Sequence, residues 1–411
     1  MKKLVVLGAG TAGTMMANKL LEILPKDIWQ IVLVDQDDQH IYQPGLLFVP
    51  FGMYDEREVV RSRAEFVHHG ICYIQDKIEK VDPEKNTVLL KNEKDLNYDL
   101  LIVATGTVID PSKTEGLLGS GWQKDIFDFY TYEGAVALRD RLENFNQGHL
   151  VMNIVDMPIK CPVAPLEFMF LADDYFTKKG VRDQVELIYT TPLDGAFTKP
   201  TSSAALGGLL SEKNIKVESN YNIEKVIPEE KKMTSFDGRV LDYDVLVSVP
   251  LHSGVDVIAE SSLSDDLGFV EVDKHTLQST RFPNVFSIGD ATNVPASKAG
   301  SVAHFQSEVL AKNILDFIAD RPLSESFDGH SNCFIETGKG KAMLIDFNYT
   351  TEPLSGKFPL PGIGPFTLLG ESEFNHWGKL AFKWVYWNML LSGKELPMDH
   401  NMLMYGKKGG V

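Results

Sequence analysis

The stretch LVVLGAGTAG, residues 4–13, decides the fold. Residues 4–8 are continuous, apolar and rich in β-branched side chains, which predicts a buried strand. Gly8, Gly10 and Gly13 follow as GAGTAG, and apolar periodicity predicts a helix from there to about Leu24. A second predicted strand, IVLVD (31–35), ends in Asp35, 22 residues after Gly13. Strand, glycine turn, helix, strand and acid in this order make a dinucleotide-binding unit. The glycines, with Thr11 and Ala12 between them, let the backbone approach a pyrophosphate. The helix N-terminus supplies N–H donors, and Asp35 is placed to bond a ribose hydroxyl.

The rest of the chain sets bounds. Its 411 residues are 44% hydrophobic and 24% charged, a globular composition that excludes disorder and fibrous repeats. A net charge of −17 argues against nucleic acid as a partner. Three cysteines, Cys72, Cys161 and Cys333, are too few and too scattered for a disulfide framework or a structural zinc site, so no metal is expected. No apolar run reaches the length of a transmembrane helix. The N-terminal apolar run is too short for a signal peptide.

Two more segments specify the dinucleotide. YDLLIVATGT (98–107) and RFPNVFSIGDAT (281–292) each read as a strand running into a small-residue turn. In the order GxGxxG, ATG, GD, the chain resembles the flavoproteins with two dinucleotide-binding domains, of the glutathione reductase kind. The resemblance implies FAD at the first site. It places Ala104, Thr105 and Gly106 over the flavin nucleotide, and Gly289 and Asp290 at the ribityl chain. The implied fold is α/β, with two Rossmann-like domains. Residues 1–108 and 273–330 would form the FAD domain, 109–272 the second domain, and 331–411 an amphipathic C-terminal region that associates with the membrane and binds quinone.

Most such flavoproteins carry a second glycine fingerprint for a nicotinamide cofactor. Its place here follows the strand HLVMNIVD (149–156), where the chain reads MPIKCPVAPLEFMFLADDYF. No glycine stands in this turn, and Pro158, Pro162 and Pro165 crowd it, so a pyrophosphate cannot lie against the backbone. The second domain is read as keeping its architecture without its nicotinamide site. Cys161 occupies the turn instead, just before an apolar-periodic helix. The helix dipole and the adjacent Lys160 favour its thiolate. Cys72, in a strand-like alternation, reads as a small buried hydrophobe.

The pattern resembles sulfide:quinone oxidoreductase over nearly the whole chain. GAGTAG, HIYQPGLLFVPFG (40–52), KCPVAP around Cys161, NVFSIGDATNVPASKA (284–299), SNCF around Cys333 and YWNMLLSGK (386–394) carry it. The resemblance implies that Cys161 and Cys333 form a redox pair beside the flavin and oxidise sulfide to persulfide or polysulfide sulfur. Electrons would pass to a membrane quinone. With no third cysteine between the ATG turn and Cys161, the chain looks closest to the subgroup with two redox cysteines. Glu167, on the helix after Cys161, is the candidate base, set against an ordinary helix glutamate. Lys298 resembles the lysine that relatives place near the flavin, where it would balance the charge of the reduced ring.

The tail is the other anomaly. From His376 onward five lysines face two acids, a local charge of +3 that leaves −20 on the rest of the chain. A helical reading of 377–391 puts Trp377, Leu380, Ala381, Trp384, Val385 and Leu391 on one stripe, with Lys379, Lys383 and Lys394 near its edges. After a break at Gly393 and Pro397, NMLMY (401–405) reads as a second short apolar piece. Such a face suits the headgroup layer of an anionic membrane. The resemblance supports a monotopic, membrane-associated protein with Phe382, then Tyr386, at the quinone, and related monotopic enzymes form homo-oligomers. The alternatives are an NADH:quinone dehydrogenase, which lacks its second fingerprint here, and a flavocytochrome-c-type sulfide dehydrogenase, which the aromatic tail and missing signal peptide disfavour. A flavoprotein oxidising another sulfur nucleophile and a redox-dead scaffold complete the set.

Overall fold

A computed structural model describes residues 1–396 and 398–408. The apolar run at the N-terminus forms β1 (Lys2–Leu7), and the glycine turn leads into α1 (Thr11–Ile23). Strand β2 (Trp29–Asp35) returns beside β1, followed by β3 (Cys72–Gln75) and β4 (Leu100–Val103). The chain then builds a second parallel sheet from β5 (Ile126–Phe127) and β6 (Gly148–Ile154), the latter leading through the proline turn into α2 (Ala164–Lys179). Strands β7 (Val185–Thr190), β8 (Lys216–Glu218) and β9 (Val245–Val249) complete that sheet in the order β5-β9-β6-β7-β8. Strand β10 (Val285–Ser287) closes the first sheet as β10-β4-β1-β2-β3, all parallel, and α3 (Gly300–Ile318) packs beside α1. Both central strands are buried on both faces, as continuous apolar runs require.

A third sheet lies between these units and the tail. Strands β11 (Ser331–Gly338) and β12 (Lys341–Phe347) pair antiparallel, and the hairpin of β13 (Gly356–Leu360) and β14 (Gly364–Leu368) extends them. Helix α4 (Glu373–Val385) covers this sheet, while β11 packs against α2 of the second unit. This contact brings the two cysteine-bearing segments together. Residues 331–372, the first part of the region 331–411, thus form a sheet, and the helix follows it. Residues 401–405 form no helix, and the chain beyond them runs along the hairpin, where backbone pairing is available: Lys357 N–H donates to the Gly406 carbonyl at 3.0 Å. Pro397, expected to break the tail, lies outside the described residues. Cys72, on the edge strand β3, is exposed rather than buried.

Candidate active site

The glycine turn sits at the C-terminal end of β1, where β1 separates strands running outward on either side. This is the topological switch point at which open α/β sheets bind ligands. A side chain on Gly13 would stand 1.8 Å from the Gly8 carbonyl, so only glycine lets α1 meet the strand this closely. A side chain on Gly10 would meet nothing within 4 Å, which leaves open space in front of that backbone. Asp35 accepts from Ala9 N–H at 2.6 Å and pairs with Arg63, a partner the sequence reading missed. Thr105 Oγ1 is buried without a partner, an unmet hydrogen bond at the turn expected to cover the flavin nucleotide. These groups fit a dinucleotide.

Asp290 follows Gly289, whose N–H is held by Gln306 at 2.8 Å. Burial pushes the Asp290 carboxyl up, while Lys298 and Lys160 oppose that rise. Lys298 is 8% exposed, not a solvated surface lysine. Its ammonium donates to the carbonyls of Asp290 and Thr292, each at 2.8 Å, and lies 3.9 Å from the centroid of the Phe269 ring. Burial brings its pKa down to about 8.

The proline turn carries Cys161 at φ +44°, a left-handed conformation that is uncommon outside glycine. Two backbone bonds hold it there: Cys161 N–H donates to the Lys298 carbonyl, and Ala164 N–H donates to the Cys161 carbonyl, both at 2.8 Å. The first bond ties the cysteine turn to the turn after Asp290. Cys333 comes from β11, opposite Ile345 on β12. Both thiols are free and half-buried. Burial pushes Cys161 up to about 12, with Glu167 adding to the rise and Lys379 and the Ala164 N–H opposing it. Cys333 is raised further, by burial first and then by the nearby charge of Cys161.

The thiolate expected at Cys161 is thus disfavoured by burial, and the cation that opposes the rise is Lys379 rather than Lys160. Lys160 donates to Gln43 Oε1 at 3.4 Å and lies in the field of Asp290 and Asp128. Lys379, from α4, takes the place beside the cysteines. Glu167 is fully buried, so it is no ordinary surface glutamate. Its Oε1 accepts from Glu336 N–H at 2.7 Å and from Lys379, and its Oε2 is buried with no partner. Lys379 also donates to the Phe334 carbonyl at 2.9 Å. Further along β11, Glu336 is 1% exposed and both its oxygens lie 2.9 Å from His376 Nδ1. Lys379, Glu336 and His376 were not expected at a site. Their nearest sequence signal is the position of Lys379 on the helix, opposite Trp377 and Trp384.

Helix α4 docks by this inward face. Asn375, with no exposure, accepts from Thr367 N–H and donates to the carbonyls of Ala342 and Thr367. The aromatic stripe faces out, with Trp377 56% and Trp384 62% exposed. Lys379 and Lys383, expected at the edges of that stripe, both turn inward, Lys383 to Glu58 at 2.8 Å. Phe382 is half-buried at the core's edge. Tyr386 is 1% exposed and spans Thr11 Oγ1 at 2.6 Å and His40 Nε2 at 2.7 Å. It props the tail against the glycine turn. No cluster able to hold a metal occurs among the described residues.

Residues 2–152 match the pyridine nucleotide-disulphide oxidoreductase family. A mitochondrial sulfide:quinone oxidoreductase of Mus musculus is 29% identical over 95% of this chain and 86% of its own length. The corresponding protein of Dictyostelium discoideum is likewise 29% identical over the same shares. The sulfide:quinone oxidoreductase of Aquifex aeolicus has the same fold, with a TM-score of 0.80 and 20% identity over 96% of this chain and 92% of that one. The chain is thus an FAD-dependent oxidoreductase that is similar to sulfide:quinone oxidoreductases along nearly its whole length.

Proposed function

We propose that this protein oxidises sulfide at Cys161 and Cys333 and hands the electrons to quinone. One observation carries the reading: the helix after Cys161 packs on β11, the strand of Cys333 172 positions further on, with Glu167 bonded there to the Glu336 N–H and to Lys379. In the oxidised state the two sulfurs are bridged. Sulfide attacks the bridge, one cysteine is left as a persulfide and the other as a thiolate. Lys379 balances the thiolate, and Glu167 Oε2, unpartnered, accepts the proton that sulfide loses. FAD, when bound, supplies the two-electron sink and passes the electrons on. The strained backbone at Cys161 and its bond to the Lys298 turn hold the sulfur in register with Asp290 and the flavin site.

For quinone, Phe382 is the candidate contact, being half-buried between the outer stripe and Tyr386, 6.4 Å away between ring centroids. The exposed Trp377 and Trp384, with Leu360 and Ile363 at the hairpin tip, support a protein that rests on the bilayer. No helix among the described residues is long and apolar enough to cross a membrane. The missing glycine fingerprint after β6 supports a donor other than a nicotinamide cofactor.

Anaerobic stopped-flow absorbance of the purified holoenzyme tests this. Mixing with sulfide should bleach the flavin band rapidly, and a short-chain quinone should restore it. A flavin that ignores sulfide and bleaches with NADH overturns the proposal.

A further inference from the structure

Sulfide chemistry at this site delivers a proton to a carboxylate that has no contact with water. The balance is hydrogen sulfide plus the bridged pair giving Cys–S–SH, Cys–S⁻ and one proton. Two electrons of the S–S bond go to the departing thiolate, and the new S–S bond forms from sulfide. Glu167 is fully buried, so the proton it accepts needs a route out before a second turnover.

We propose that Glu167, Lys379, Glu336 and His376 are that route, running from the sulfur site along the inner face of α4 to solvent. This rests on the reading of Cys161 and Cys333 as the sulfide-oxidising pair. Glu167 takes the proton on Oε2, its unpartnered oxygen. Lys379 is bonded to Glu167 through Oε1, which also accepts from the Glu336 N–H; its charge acts on the Glu336 carboxylate without an ion pair between them, so that step of the route runs through a bridging water. Glu336 is bonded to His376 Nδ1, and the His376 side chain is 14% exposed, against 1% for Glu336. The last member of the series is thus also the most exposed of the four.

The other groups around Glu167 are buried or half-buried. The groups facing Glu167 are Lys379 from α4, Cys161 from the proline turn, Cys333 and Glu336 from β11, and the phenols of Tyr42 and Tyr130. Burial drives both phenols well above their ordinary range, so both stay neutral beside Glu167. Tyr54 faces Glu336 and is itself pushed up to about 12. Burial raises both Glu167 and Glu336, which moves them toward pH values at which a carboxylate can hold a proton transiently. All three outer members sit where α4 meets β11, so the docked helix completes the route.

The test uses holoenzyme with sulfide-driven flavin bleaching as the readout. His376→Ala, at the partly exposed end, should slow bleaching at least tenfold, and added imidazole should restore it in proportion to its concentration. Glu336→Gln should slow it similarly with no response to imidazole, because the break lies inside. Photoreduction of the flavin in both variants reports an intact cofactor site. A His376→Ala protein with wild-type bleaching, or a slow one that imidazole does not help, overturns the route. Cys161→Ser separates the two readings. If it bleaches like the parent, the sulfur site itself is wrong. If it is silent while His376→Ala is normal, only the proton route is lost.

Discussion

Glu167 and Lys379 stand 212 positions apart in the chain and form one buried ion pair, joining the helix behind Cys161 to the helix of the aromatic tail. Their side chains are 0% and 12% exposed, so each charge depends on the other for its solvation. On the proposed reading the tail therefore belongs to the sulfur site as well as to the membrane face. Removing one partner of a buried pair costs on the order of 3–5 kcal/mol, because it strands the other. Lys379→Met should accordingly melt well below the parent, as followed by flavin fluorescence, and lose most sulfide-driven bleaching. The double variant Glu167→Gln/Lys379→Met should recover much of the stability and none of the rate. A single Lys379→Met that melts like the parent would refute the link.

The φ of +44° at Cys161 gives a prediction that separates chemistry from backbone strain. Cys161→Ser and Cys161→Gly should both keep FAD and both lose sulfide-dependent bleaching. Glycine relieves the left-handed conformation, so Cys161→Gly should be about 1 kcal/mol more stable than Cys161→Ser. Denaturant melts of the two proteins, side by side, measure this. Cys333→Ser should be equally silent toward sulfide, whereas Cys72→Ala, on an exposed edge strand, should behave as the parent. Full turnover by either Cys161 variant would remove the mechanism.

How much of this was readable in advance depends on the distance between partners. The fingerprint from β1 to Asp35 closes within one strand–helix–strand unit, so glycine spacing and apolar period suffice to find it. The loss of the second fingerprint is equally local. The third sheet is harder to see although SNCFIETG and KAMLIDF are strand-like, because Pro359 and Pro365 make the following hairpin read as loop. The pairs Glu167–Lys379 and His40–Tyr386 leave no local signal at all. The conspicuous face of α4 is its aromatic stripe, and that face points away from the site. Lys379 occupies the opposite face, and its partner lies across the fold.

His40 predicts acid sensitivity. It is buried, bonded to Tyr386, and burial brings its pKa down from the usual 6.5 to about 4. Protonation thus favours the unfolded chain. The stability associated with neutral His40 is full above pH 6.5 and falls as the pH drops toward 4. A shift of this size corresponds to roughly 3 kcal/mol by the end of that window. Because Tyr386 connects His40 to Thr11 in the glycine turn, the loss should appear as flavin release. Flavin fluorescence recorded between pH 7 and pH 4.5 should rise for the parent and rise less for His40→Gln. Equal curves for the two proteins would assign the acid loss to other groups, such as His252 and His304, which burial lowers to about 3 and about 4.

Truncation before Trp377 is the obvious test of the tail, and the structure changes its expected result. A tail that served only membrane and quinone would leave the sulfide half-reaction intact when removed. Here the cut also removes Lys379 from Glu167 and Tyr386 from Thr11. The truncated protein should therefore bind FAD weakly and fail to bleach with sulfide even in detergent solution. The membrane role is isolated by a surface variant instead. Trp377→Ser/Trp384→Ser changes two side chains that are more than half exposed and leaves the inner face of α4 in place. That protein should bleach with sulfide as the parent does and sediment less with anionic vesicles. Retained vesicle binding would move the contact to the hairpin tip at Leu360 and Ile363. Normal sulfide bleaching by the truncated chain would show instead that Lys379 is dispensable to the sulfur site.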